Sequence, residues 1–123
     1  MATKIKESST NNRNRKKALS TCPVYYTLEK IGGRWKALIL FNLVDGKKRY
    51  GELKKLLPYV TEKMLIQQLK ELEADGLVIR KALPIVPPHV EYSLSKTGKE
   101  LNTVLGAMAQ WGLKHKEKQH LSN

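Results

Sequence analysis

The sequence predicts a mainly helical domain that carries one small β-hairpin. Three observations predict it. Apolar residues recur at helical spacing through most of residues 20–112, and the period switches to strict alternation only near 90–94. Glycine, proline and aspartate stand between these stretches.

Order is expected to begin near Cys22-Pro23, because proline suits the first helical position. Tyr25, Leu28 and Ile31 follow at helical spacing until Gly32-Gly33 stops the helix. A second helix is expected from Arg34, with Trp35, Leu38, Ile39 and Leu43 on one face and Asp45-Gly46 at its end. Trp35 reads as core packing rather than a stacking platform. Lys47 to Tyr50 forms a short extended link. A third short helix, Glu52 to Leu57, presents Leu53, Leu56 and Leu57 before Pro58 ends it, and the charge of Glu52 suits the helix start. Thr61 is placed to cap a fourth helix running to Asp75, with Gly76 beyond it and Leu65, Leu69 and Leu72 as the inward stripe. Leu77–Lys81 and Val90–Leu94 read as two strands. The loop between them carries Pro84, Pro87 and Pro88, which a central strand excludes. Leu101, Val104, Leu105, Met108 and Trp111 space a last helix opened near Lys96-Thr97.

Helix, short helix, tight turn, helix, then hairpin is the order of a winged helix-turn-helix, dimerising through its N- and C-terminal helices. In this architecture the helix after the turn enters the major groove of duplex DNA, and the hairpin lies along the backbone or minor groove. Setting the three leucines inward at 100° per residue turns Lys63, Gln67 and Lys70 outward, with Met64 and Ile66 on the flanks. Glutamine reads adenine through two hydrogen bonds, and lysine reaches guanine acceptors or phosphate. Arg80 and Lys81 fall at the root of the wing and His89 near its return, facing phosphate. The same residue types also occur on ordinary solvated faces.

Charge points the same way. Lys and Arg exceed Asp and Glu by 23 to 11, a net +12, with +5 on residues 1–17 and +2 on residues 113–123. A basic arm on a basic body suits a polyanion, since each phosphate neutralised releases counterions. The expected organisation is a flexible basic arm at 1–19, one domain at 20–112 and a basic tail at 113–123. One cysteine excludes an intrachain disulfide and a four-cysteine metal site. His89, His115 and His120 lack metal-ligand spacing, so no metal is expected. No phosphate loop, nucleophile elbow or catalytic cluster stands out, so neither catalysis nor a cofactor is expected. The longest apolar run, Ala37–Phe41, is too short to span a bilayer, and the N-terminus shows no secretory h-region. The expected location is the cytosol.

The sequence resembles the HxlR-type transcriptional regulators, winged-helix relatives of the MarR group. The resemblance is carried by Cys22-Pro23-Val24, Ile31-Gly32-Gly33-Arg34-Trp35, Arg49-Tyr50-Gly51-Glu52-Leu53, Lys63-Met64-Leu65, Gln68-Leu69, and Glu71 through Val78. It continues through Val86-Pro87-Pro88, Val90 through Leu94, Gly98 and Trp111-Gly112. Tyr50 stands where the family often has Phe. The resemblance implies a homodimer on a pseudo-palindromic double-stranded DNA operator. The DNA-contacting residues are then Thr61, Lys63, Met64, Gln67, Gln68 and Lys70 on the recognition helix and Arg49, Arg80, Lys81 and His89 around the wing. Leu101, Val104, Leu105, Met108 and Trp111 form the dimer stripe. The family also includes sensors of quinones, aldehydes or disulfide stress that act through a cysteine at the place of Cys22. With Pro23 at the first helical position, Cys22 falls at the N-cap, where the helix dipole favours a thiolate and an oxidant or small electrophile is the expected effector. The rival roles are a basic RNA- or ribosome-associated protein and a winged-helix protein-interaction module, or, for Cys22, a merely structural cap.

Overall fold

The computed structural model describes Arg15, Leu19 and residues 21–122, with side chains described to Glu117. The expected flexible arm at 1–19 lies outside the described residues, Arg15 and Leu19 excepted. The chain divides into two compact units, residues 1–33 and 34–123.

In the first unit, α1 spans Pro23–Ile31. Cys22 holds the N-cap in extended conformation, and its carbonyl accepts the first helical bond, from the Tyr26 amide at 3.0 Å. Gly32 closes the helix by donating to the Leu28 carbonyl at 2.6 Å. A Cβ at Gly32 would stand 2.2 Å from that oxygen, and Gly33 turns away at φ +84°, so the glycine pair is a steric requirement. Ile31 is buried but Leu28 is exposed, so the expected stripe narrows to its last residue.

The second unit holds the remaining elements. Helix α2 spans Lys36–Asn42 and begins two residues later than the expected Arg34, because the chain bends through residues 33–35. Ile39, Leu40 and Leu43 are buried, whereas Leu38 is exposed. Trp35 is half-buried and tilts against the Tyr59 ring at 5.6 Å. The link expected at Lys47–Tyr50 is in part a strand, β1 (Lys48–Arg49). Before it, Lys48 Nζ donates to Asp45 at 2.7 Å and holds that carboxyl below its ordinary pKa.

Helix α3 spans Tyr50–Leu56. The side chain of Glu52 accepts the Arg49 amide at 3.0 Å, satisfying an end donor from inside the helix, so the helix starts two residues before Glu52. Leu53 and Leu57 are buried and Leu56 is exposed. Helix α4 spans Glu62–Ala74, with Thr61 Oγ1 accepting the Met64 amide at 3.1 Å. Its stripe Leu65, Leu69 and Leu72 is fully buried. Helix α2 packs against both α3 and α4, and α4 also meets β2.

Strands β2 (Val78–Leu83) and β3 (His89–Leu94) pair antiparallel out to Leu83↔His89, beyond the expected Lys81 and Val90. Pairing stops where Pro84 offers no amide. β1 joins the far edge of β3, so the small hairpin belongs to a three-stranded sheet of order β1-β3-β2. The architecture is a winged helix-turn-helix. The last helical stretch is broken in two: α5 (Lys96–Lys99) and α6 (Asn102–Ser122). Residues 113–122, grouped by charge with the tail, continue α6 as helix.

The joint between wing and α6 is tight. Ser95 Oγ donates to the Gly76 carbonyl at 2.6 Å and accepts the Gly98 amide at 3.0 Å, and a Cβ on Gly98 would lie 2.1 Å from the Leu77 carbonyl. Gly98→Ala is expected to cost about 1–3 kcal/mol by overpacking. Thr61→Ala is expected to cost about 1 kcal/mol by uncapping α4. Urea unfolding checks both, and a wild-type midpoint in either variant would show that its contact does not hold the fold.

Candidate nucleic-acid interface

The turn before α4 is fixed from below and from the side. Leu57 and Val60 are buried, the Val60 amide donates to the Leu57 carbonyl, and Lys54 Nζ donates to the Val60 carbonyl. These bonds aim α4, and its leucine stripe sets its rotation. Lys63, Gln67 and Lys70 are therefore exposed on the face opposite the core, with Met64 and Ile66 at its margins.

Two residues expected on that face are engaged otherwise. Thr61 spends its hydroxyl oxygen on the cap. Gln68 is half-buried on the α2 flank, where its Nε2 donates to Glu71 Oε2 at 2.9 Å, and Lys36 Nζ of α2 stands 3.7 Å from the same oxygen. The chain Lys36–Glu71–Gln68 joins α2 to α4. Periodicity gives no sign of it, because it depends on where α2 crosses.

The wing root and α4 share a cleft of about 580 Å³. Arg49 and Tyr50 line it from the β1–α3 junction, Lys70 and Ile66 from α4, and Arg80 and His89 from the wing. Its cations, Arg49, Lys70 and Arg80, outnumber the single lining acid, Glu73. Arg49 Nη1 lies 3.5 Å from His89 Nε2, so the guanidinium donates and that nitrogen accepts. Tyr50 has its phenol pushed above the ordinary value, by burial first and then by the Glu62 carboxylate, so it stays neutral at neutral pH. Strand alternation puts Arg80 on the Val78 side, toward the cleft. Lys81 falls on the other face, opposite Glu91, a carboxylate that also meets Lys47 at 3.5 Å. The cleft thus gathers Arg49, Lys70, Arg80 and His89 and leaves Lys81 outside. Tyr50 and Pro88 also line it, and sequence spacing gave no reason to choose them.

Cys22, in the first unit, is half-buried, and its side chain makes no capping bond to α1. On α6, Leu105 is buried within its own chain and Leu101 half-buried, whereas Val104, Met108 and Trp111 are exposed, Trp111 at 67%. The Trp111 ring stacks on His115 at 4.3 Å and 15°. Among the described residues no helix is long and apolar enough to cross a membrane.

Comparison with known proteins gives concordant results. The family model described as HxlR-like helix-turn-helix matches residues 30–120. The uncharacterized HTH-type transcriptional regulator YdeP of Bacillus subtilis is 50% identical over 97 residues, covering 79% of this chain and 76% of that protein. Among solved structures, the redox regulator HypR in its oxidized form superposes with a TM-score of 0.73 at 46% identity, over 76% of this chain and 96% of that one. The reduced form of the transcriptional regulator YodB from B. subtilis gives a TM-score of 0.65 at 38% identity, over 74% of this chain and 90% of that one. YodB also has a diamide-treated structure. This chain therefore belongs to the HxlR-like helix-turn-helix family, and it is a DNA-binding transcriptional regulator of that type rather than an enzyme.

Proposed function

We propose that the chain binds a pseudo-palindromic duplex operator as a homodimer, in the cytoplasm, and that oxidation or alkylation of Cys22 alters that binding. The observation that carries the reading is the outward face of α4. Lys63, Gln67 and Lys70 are exposed there, beside a cleft where Arg49 and Arg80 add two more cations. Gln67 lies farthest from the leucine stripe and reads a base edge in the major groove, while Lys63 and Lys70 contact guanine acceptors or phosphate. Met64 supplies an apolar contact at the groove margin. Gln68 supports this face through Glu71, Thr61 by capping the helix, and Arg49, Arg80 and His89 hold one backbone strand in the cleft. Lys81 meets phosphate from the other side of the wing, and the arm at 1–19 adds charge without readout.

With about 6–10 phosphates neutralised by a dimer, log K should fall against log salt with a slope of about −5 to −9. Gln67→Ala should cost about 1–3 kcal/mol on a selected duplex and nothing on random DNA. Anisotropy titrations of both duplexes at several salt concentrations test this. Equal weakening on the two would remove Gln67 from readout, and tighter binding to single-stranded RNA would sink the DNA reading.

The apolar side chains left exposed on α6, Val104, Met108 and Trp111, are the natural dimer surface, with Leu101 at its edge and Leu105 supporting it from inside the core. Exposed Val24, Tyr26 and Leu28 on α1 support a contribution from that helix. Such a dimer sets two copies of α4 about one DNA turn, roughly 34 Å, apart. Sedimentation should give twice the 14.0 kDa chain mass, and Trp111→Ala should lower it. A wild-type mass of one chain at micromolar concentration would overturn the dimer.

Redox switching is supported by the position of Cys22 at the start of α1 and by the likeness to HypR and YodB. The sequence holds no second cysteine, so a disulfide joins two subunits or captures a small thiol, each thiol losing its proton and the pair giving two electrons to the oxidant. Diamide should shift duplex affinity of the wild type and leave Cys22→Ser unchanged. The same response in both proteins, or in neither, would assign the cysteine a structural role alone.

A further inference from the structure

The cleft between the wing root and α4 has two walls. The register Arg80↔Tyr92 and Ala82↔Val90 sets Arg80, Tyr92 and Val90 on one face of the sheet. Across from them, Ile66, Lys70 and Glu73 recur on one side of α4. Tyr92 is buried, Val90 half-buried, and Ile66 stands at the edge. These three side chains extend the core into the cleft and give it an apolar floor. Three cations, Arg49, Lys70 and Arg80, against the one acid Glu73 leave a net charge of +2, with the Tyr50 phenol neutral. Elsewhere Lys36, Lys47 and Lys48 each meet a carboxylate, but among the described residues these three cations form no ion pair. Unpaired cations beside an apolar floor suit an anion that carries an apolar body.

We infer that this cleft binds a small phosphomonoester with an apolar body, and that the bound molecule displaces the operator's backbone strand. The inference rests on the operator-binding reading and adds a regulator of the same site. Charge selects the class. A phosphomonoester carries about −1.5 to −2 at pH 7, which matches the +2 of the cleft. A DNA phosphodiester or a carboxylate brings only a single negative charge. The guanidinium groups of Arg49 and Arg80 can each meet two phosphate oxygens, and Lys70 adds a point charge. Size agrees. The cleft of about 580 Å³ lies within the roughly 300–1,000 Å³ of small-molecule sites, far more than one phosphate fills. The apolar body then packs on Ile66, Val90 and Tyr92, a surface from which phosphate charge gains nothing. Glu73 repels a body that is itself acidic. Binding is exclusive, because Arg49, Lys70 and Arg80 cannot hold a dianion and a DNA phosphate together.

The experiment titrates the full chain with phenyl phosphate, first alone by phosphorus NMR. The titration is then repeated at fixed ionic strength against a duplex that the wild-type protein recovers from a randomised pool. Phenyl phosphate should bind saturably, about tenfold more tightly than inorganic phosphate or benzoate, and should displace the duplex. Arg80→Gln should weaken phenyl phosphate about tenfold. Lys114→Gln, the same change of charge on α6, should bind it as the wild type does. Val90→Thr puts a hydroxyl on the floor at nearly constant shape, so it should weaken phenyl phosphate and leave inorganic phosphate as before. Thermal unfolding confirms that each variant is folded. Equal weakening in Arg80→Gln and Lys114→Gln would reduce the binding to general charge attraction and overturn the site. Absence of saturable binding, with the duplex still recovered, would also overturn it and leave the operator reading standing. So would binding that leaves the duplex in place, since the two occupants must exclude each other. Failure of the wild type to recover any duplex would overturn the operator reading and the competition with it.

Discussion

The structure depends on the burial of one leucine stripe. Leu65, Leu69 and Leu72 occupy one side of α4 and reach essentially zero exposure against the rest of the second unit. Each buried leucine is worth about 1.5–3 kcal/mol, far more than any rotamer preference on the exposed side. The stripe therefore fixes the rotation of the helix, and rotation decides which side chains face outward. Lys63, Gln67 and Lys70 lie where they do because their neighbours cannot be moved. A slip of one residue would rotate the face by 100° and turn Met64 and Gln68 outward in their place.

Around that helix, polar contacts set position where hydrophobic contacts set only rotation. Lys54 closes the turn before α4, Thr61 caps it, and the Lys36–Glu71–Gln68 chain ties its middle to α2. Each is modest alone, since exposed ion pairs contribute about 0–1 kcal/mol. Their value is geometric, because they act on one helix from separate directions. The acids follow the same logic. Glu52, Glu71 and Glu91 are each held by a hydrogen bond or a cation outside the cleft, whose one lining acid, Glu73, faces three cations.

Local patterns showed most of this architecture in the sequence. The cap at Thr61, the leucine period, the Gly32-Gly33 stop and the proline-bounded hairpin are each governed by residues within a few positions, so sequence displays them. What sequence hid depends on crossings between distant elements. Leu38 and Leu56 have the right period yet lie exposed, because short helices bury only the narrow stripe that meets a neighbour. β1 has two residues and no alternation to detect, and it exists because Tyr92 and Glu91 lie alongside. The break between α5 and α6 comes from the tight turn at Glu100 and Leu101, where amides bond three residues back to Thr97 and Gly98. Of the site, the outward face of α4 was legible and the cleft was not, since Arg49, Lys70, Arg80 and His89 come together only when the sheet forms.

The joint at Ser95 and Gly98 gives these parts a common frame. Gly76, which ends α4, and Leu77, which leads into β2, both receive contacts from the residues that start α5. The end of α4, the base of the wing and the start of the C-terminal helical stretch are thus joined within a few ångströms of backbone. Gly98 is the condition for that closeness, because any side chain there would collide with the Leu77 carbonyl. α6 also packs on α2, which in turn holds α4 through Lys36 and Glu71. Two separate routes therefore run between the exposed apolar face of α6 and the rotation and tilt of α4. In a dimer built on α6, the spacing of two such helices is set by contacts remote from DNA. A change at such a subunit contact would therefore act on α4 through closely packed backbone.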